Sequence, residues 1–168
     1  MNTSKTNEQA FEALIEKALV GSSCEEREFS DDNEKKIAAD EQSPNDDQYY
    51  WGIPSDMDKT LSIDKRRFWS FLYSSQADTL AEYRGRNLTS DVEKQVSRAI
   101  DTYGIIDVLR KGVDVENIHL TMFYSKPSAA DSEDSHINYA KNQFSVTRQQ
   151  TFSNSHPGLE LDMAVFVN

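Results

Sequence analysis

The chain is 168 residues long, enough for one domain or one domain and a tail, with 37% apolar residues, a mean hydropathy of −0.71 and a formal charge of −11. Four prolines and six glycines exclude a collagen-like or low-complexity chain, and the single cysteine, Cys24, excludes an internal disulfide. The acidity weighs against a free-standing nucleic-acid binder, but it is local: ten acids against three bases between residues 25 and 48 account for −7 of the −11.

No run approaches the roughly 18 apolar residues of a membrane span. No apolar segment of the secretory type follows Met1, so a cytoplasmic location without a membrane partner is expected.

Thr6 or Asn7 can cap a helix over about 7–20, with Glu8 in its first turn and Gly21 ending it. Phe11, Leu14, Ile15, Ala18 and Leu19 recur at helical spacing as its apolar stripe. Residues 22–48 are acidic and poor in large apolar groups, which predicts a loop or disordered insert. Tyr49-Tyr50-Trp51-Gly52-Ile53-Pro54 then reads as a segment packing back onto the domain.

From Ser62 to Lys111 the spacing is helical. Phe68, Trp69, Phe71 and Leu72 mark one helix, and Ala77, Leu80, Ala81 and Tyr83 a second. A third is capped by Thr89 or Ser90 and broken at Gly104; a short one ends at Gly112. The period then changes to two. Strands are expected at 118–124, 144–152 and 159–167, with a helical turn near 134–141. This divides the chain into an opening helix (1–21), the acidic insert (22–48), a helical insertion (49–112) and a strand region (113–168).

Asp162 is the main candidate for chemistry. An acid in an otherwise apolar strand is either exposed or paired, with Arg148 as the nearest cation, or it holds a metal, since carboxylates are the hard ligands of Mg2+. Arg148 and Gln149 lie mid-strand, where an arginine forms a salt bridge or holds a phosphate. Glu8, Glu12 and Glu16 share one face of the first helix, either as a solvated stripe or with one of them turned toward the Asp162 site. Lys65-Arg66-Arg67 is a wet helix side or a phosphate contact. His119, His136 and His156 form no zinc pattern with one cysteine, and neither a P-loop nor a Gly-x-Gly-x-x-Gly is present.

Several separated blocks together resemble one family. Tyr103-Gly104-Ile105-Ile106-Asp107-Val108-Leu109-Arg110-Lys111-Gly112-Val113, then Asn142-x-Phe144-x-Val146-Thr147-Arg148-Gln149, then Leu161-Asp162-Met163-Ala164-Val165-Phe166-Val167-Asn168, are similar to stretches of the motor (R) subunit of type I restriction-modification enzymes. Tyr50-Trp51-Gly52-Ile53-Pro54 and the Glu8-x-x-x-Glu12 helix also fit.

The resemblance implies the N-terminal nuclease region of that subunit: an α/β, restriction-endonuclease-like PD-(D/E)xK fold with a helical insertion. It implies Mg2+ on Asp162, a helping acid at Glu12 or else Glu8, and DNA contacts from Arg148 and Gln149. It implies DNA and the modification and specificity subunits as partners, and ATP in separate motor domains.

In the family a strand bearing Glu-x-Lys follows the aspartate, and here none follows Asp162. The chain therefore reads as an incomplete nuclease domain, inactive by itself, with an open sheet edge that invites self-association. The alternative is a non-catalytic module that docks onto the other subunits.

Overall fold

The structure is a computed structural model that describes residues 3–23, 26, 27, 31–40, 49–156 and 158–168. In chain order the elements are α1 (Thr3–Val20), α2 (Asp32–Asp40), β1 (Tyr49–Trp51), a 3-10 turn (Pro54–Asp56), β2 (Met57–Asp58), β3 (Ile63–Asp64) and α3 (Lys65–Ala81). There follow α4 (Leu88–Tyr103), α5 (Ile105–Lys111), β4 (Val113–Val115), β5 (Ile118–Leu120), α6 (Glu133–Tyr139), β6 (Phe144–Thr151) and β7 (Glu160–Val167). The fold is mixed α/β with small sheets: β1-β6-β7, and the pairs β2-β3 and β4-β5. Among the described residues no helix is long and apolar enough to cross a membrane.

Two compact units divide the chain. Unit 1 is Met1–Asp64 with Gln143–Phe166, and unit 2 is Lys65–Asn142 with Val167–Asn168. The inserted unit therefore begins at residue 65, not 49, and runs on past 112 to include the β4–β5 hairpin and α6.

In unit 1, β1 runs parallel to β6, with Tyr49 opposite Phe144 and their rings stacked 5.0 Å apart. Parallel pairing of segments so far apart in sequence is invisible to local pattern. Gly52 extends the ladder by donating to the Val146 carbonyl, 2.8 Å. α1 ends where expected, Gly21 in the left-handed region (φ 82°) donating to the Lys17 carbonyl.

The buried face of α1 differs from the expected one. Phe11 and Leu14 are 64% and 66% exposed, whereas Glu16 and Val20 are buried. The helix turns Glu12 and Glu16, not its full apolar stripe, toward β1 and β6, because those strands present donors to the two carboxylates. The acidic insert is also not all loop: α2 forms within it, started by Asp31 Oδ1 accepting from the Glu34 N–H, 2.8 Å, and anchored by buried Ala39. Residues 24, 25, 28–30 and 41–48 of that insert lie outside the described residues.

In unit 2, Phe68, Phe71 and Leu72 of α3, Val92 and Val96 of α4, and Val108 of α5 are buried. So are Val113, Val115, Ile118 and Leu120 of the β4–β5 hairpin. α3 is two helices meeting at a kink, as the break expected around Ser74-Ser75 implies: Gln76 between them is non-helical (φ −140°, ψ 33°). α4 is capped by Asn87, whose side chain accepts from the Ser90 N–H, rather than by Thr89 or Ser90. The Lys65-Arg66-Arg67 cluster is not a wet face, since Arg67 is buried and Lys65 pairs with Glu93 at 3.0 Å.

The strand expected over 118–124 stops at Leu120. The next residues have no strand partner, and two side-chain amides take that place. Gln76 accepts from the Thr121 N–H (2.7 Å) and donates to its carbonyl (2.8 Å); Asn142 accepts from the Tyr124 N–H (3.0 Å) and donates to its carbonyl (2.7 Å). Asn168 continues this network, donating to the Met122 carbonyl and to Asn142 Oδ1. Buried backbone groups must be paired, and these three amides do it.

Candidate functional site

The densest cluster of buried charge in unit 1 joins α1 to the sheet. Arg148 of β6 donates from Nη2 to Glu12 Oε2 at 2.8 Å, and its Nη1 lies 3.8 Å from Glu16 Oε2. Glu16 is fully buried, and its Oε1 accepts from the Trp51 indole N–H of β1 at 2.9 Å. The four-residue spacing of Glu12 and Glu16 puts both acids on one helical face, so a single guanidinium reaches both. Ion pairing and the indole bond offset the cost of burying the carboxylates.

Gly52 allows the close approach of β1's end to β6. A Cβ there would stand 1.9 Å from Thr147 Oγ1 and 3.1 Å from the Val146 carbonyl oxygen. One residue beyond Arg148, Gln149 sits in the left-handed region (φ 51°), a strained place for a residue within a strand. This turn out of register exposes Gln149 between Arg148 and the buried Gln150. Beside the cluster lies a cavity of about 540 Å3 lined by Gln9, Lys35, Trp51, Thr147 and Gln149 together with Glu16 and Arg148.

The expected site residues therefore separate. Glu12 and Arg148 are brought together. Glu8 is exposed on α1. Asp162 is exposed on β7 and makes no polar contact with the described residues, so it is not the partner of Arg148. Arg148 is only 7% exposed at its side chain and is engaged by Glu12 at 2.8 Å. Gln149 remains exposed.

Among the described residues, no group of three acids, histidines or cysteines converges in a metal-binding arrangement. Trp51 and Gly52 are not singled out as functional by the sequence, and Glu16 enters there only as one of three acids on a shared helical face. The available signal was the Glu12–Glu16 spacing combined with an arginine in a strand that has no acid on its own element.

No family model matches the chain, and neither a curated protein nor a solved structure matches it. The class that the fold itself defines is a mixed α/β protein, with three small sheets among the described residues.

Proposed function

We propose that unit 1 is the opening part of a PD-(D/E)xK endonuclease domain, that of the DNA-translocating R subunit of type I restriction-modification enzymes. The whole subunit would cut double-stranded DNA with Mg2+ and ATP, the nucleotide serving motor domains outside these residues. DNA and the modification and specificity subunits are its partners. The observation that supports this is the layout of α1 against β6, with the adjacent strand β7 presenting Asp162 to solvent, where a cation and a DNA phosphate can reach it.

The residues fit a metal only in part. Mg2+ is held through one or two carboxylates, with waters and phosphate oxygens completing the shell. Asp162 offers one carboxylate. Glu12, the other acid of this reading, is engaged by Arg148 at 2.8 Å, so its role is to fix the helix on the strand and not to ligate.

A second reading, a docking module without catalysis, is favoured by the apolar groups that unit 1 leaves in water: Phe11 and Leu14 on α1, and Leu161 and Val165 on β7. The test is plasmid cleavage by the natural full-length gene product that contains these residues. Mg2+-dependent cutting that Asp162→Ala abolishes, with the circular dichroism spectrum unchanged, supports the nuclease. Cutting that survives Asp162→Ala removes Asp162 from the chemistry, and absence of cutting leaves the docking module as the better account.

A further inference from the structure

The cavity beside the Glu12–Arg148–Glu16 cluster has a volume of about 540 Å3, within the range of small-ligand sites, about 300–1,000 Å3. The charges around it are mixed: Arg148 and Lys35 line it together with Glu16, Glu12 stands 2.8 Å from Arg148, and the Arg27 guanidinium lies over the Trp51 ring. Stacking and polar contacts, more than net charge, therefore select the ligand.

Three features describe that ligand further. The Trp51 indole is held in place by its bond to Glu16 and by the Arg27 guanidinium, 5.4 Å from the ring centroid. A flat ring fixed in this way is a stacking surface that loses little freedom when occupied. Gln9 and Gln149 each bring a carboxamide, able to donate and accept at once, which is the group that pairs bidentately with the edge of adenine. Gln149 also holds a left-handed backbone (φ 51°), and strain of this kind collects at ligand-binding positions.

We propose that this cavity takes a single unstacked purine base, with Trp51 as the stacking surface and the Gln149 and Gln9 carboxamides reading the base edge. That the base comes from a DNA strand rests on the nuclease reading; the pocket itself does not.

The test uses the 168-residue chain and its two indole N–H signals in a 1H-15N spectrum, Trp51 in unit 1 and Trp69 in unit 2 as the internal reference. Adenosine and a single-stranded oligodeoxyadenylate are titrated separately. Saturable movement of the Trp51 signal alone supports the proposal; movement by adenosine assigns the free base or nucleoside as sufficient, and movement by the oligonucleotide alone assigns a nucleic-acid strand. Gln149→Ala is expected to weaken binding about tenfold.

Gln149→Gly separates binding from folding, since it relieves the backbone while deleting the carboxamide: the melting temperature should hold or rise while affinity falls. The proposal is overturned if neither probe moves Trp51, if inorganic phosphate moves it equally, or if both Gln149 variants bind as the parent does. Loss of this site with Asp162-dependent cleavage intact would refute the pocket alone, and the reverse result would refute the nuclease alone.

Discussion

Arg148→Met is the most informative perturbation of unit 1. At an effective dielectric of about 20, unit charges about 3 Å apart attract by roughly 5–6 kcal/mol, and by about 4 kcal/mol at 4 Å. Arg148 stands at 2.8 Å from Glu12 and 3.8 Å from Glu16, so the two contacts fall near those values. Most of that attraction offsets desolvation, and the net worth of the triad against an apolar one is small.

Removing only the cation is different. Glu12 and Glu16 stay behind with side chains 13% and 0% exposed, and the expected loss is about 3–5 kcal/mol. Adding Glu16→Gln removes one of the stranded charges while its Oε1 can still accept from Trp51, so the double variant should recover about 1–2 kcal/mol. Urea unfolding followed by tryptophan fluorescence in a Trp69→Phe background isolates unit 1. A loss below about 1 kcal/mol for Arg148→Met, or a double variant weaker than the single one, would show that the charges are not buried together as described.

Three further outcomes follow from particular contacts. Gly52→Ala forces a Cβ against Thr147 Oγ1 at 1.9 Å and should cost about 1–3 kcal/mol in the same unfolding assay, with Thr147→Ala in the same chain restoring part of it. Gln76→Leu leaves the Thr121 N–H and carbonyl without their amide partner; stability should fall by about 1–3 kcal/mol, and the Thr121 amide should lose hydrogen-exchange protection while the Asn142-bound Tyr124 amide keeps more of its own. The Asp131 carboxyl is held below its ordinary range, first by the Ser128 backbone N–H and then by the Ser128 side chain. Its contribution to stability is therefore present above the unfolded-state pKa and lost as pH falls through the folded one. A carbon-13 titration should place its midpoint below that of Asp131 in the urea-unfolded chain, and an equal midpoint would refute the loop geometry.

Local chemistry wrote most of the secondary structure into the chain. Gly21, Gly104 and Gly112 all take positive φ where the helical spacing stops, because only glycine enters that region without penalty. The alternation beginning at Phe144 and Leu159 became β6 and β7 to within a residue or so. The short β4 was missed because Val113-Asp114-Val115 is too brief a pattern to stand out, and it exists through its pairing with β5.

What the sequence alone determined, then, is where α1, α4 and α5 end and where the long strands β6 and β7 lie, since glycines and hydrophobic period act over a few neighbouring residues. Only the tertiary structure decided which side of α1 is buried and which acids matter. Arg148 lies 136 residues from Glu12, and Trp51 lies 35 from Glu16, so the donors that draw the acidic face inward are beyond the reach of any local pattern. The same long-range pairing left Asp162 in solvent and gave Gln76 and Asn142 the role of missing strands, because a buried polar group takes whichever partner the fold brings to it.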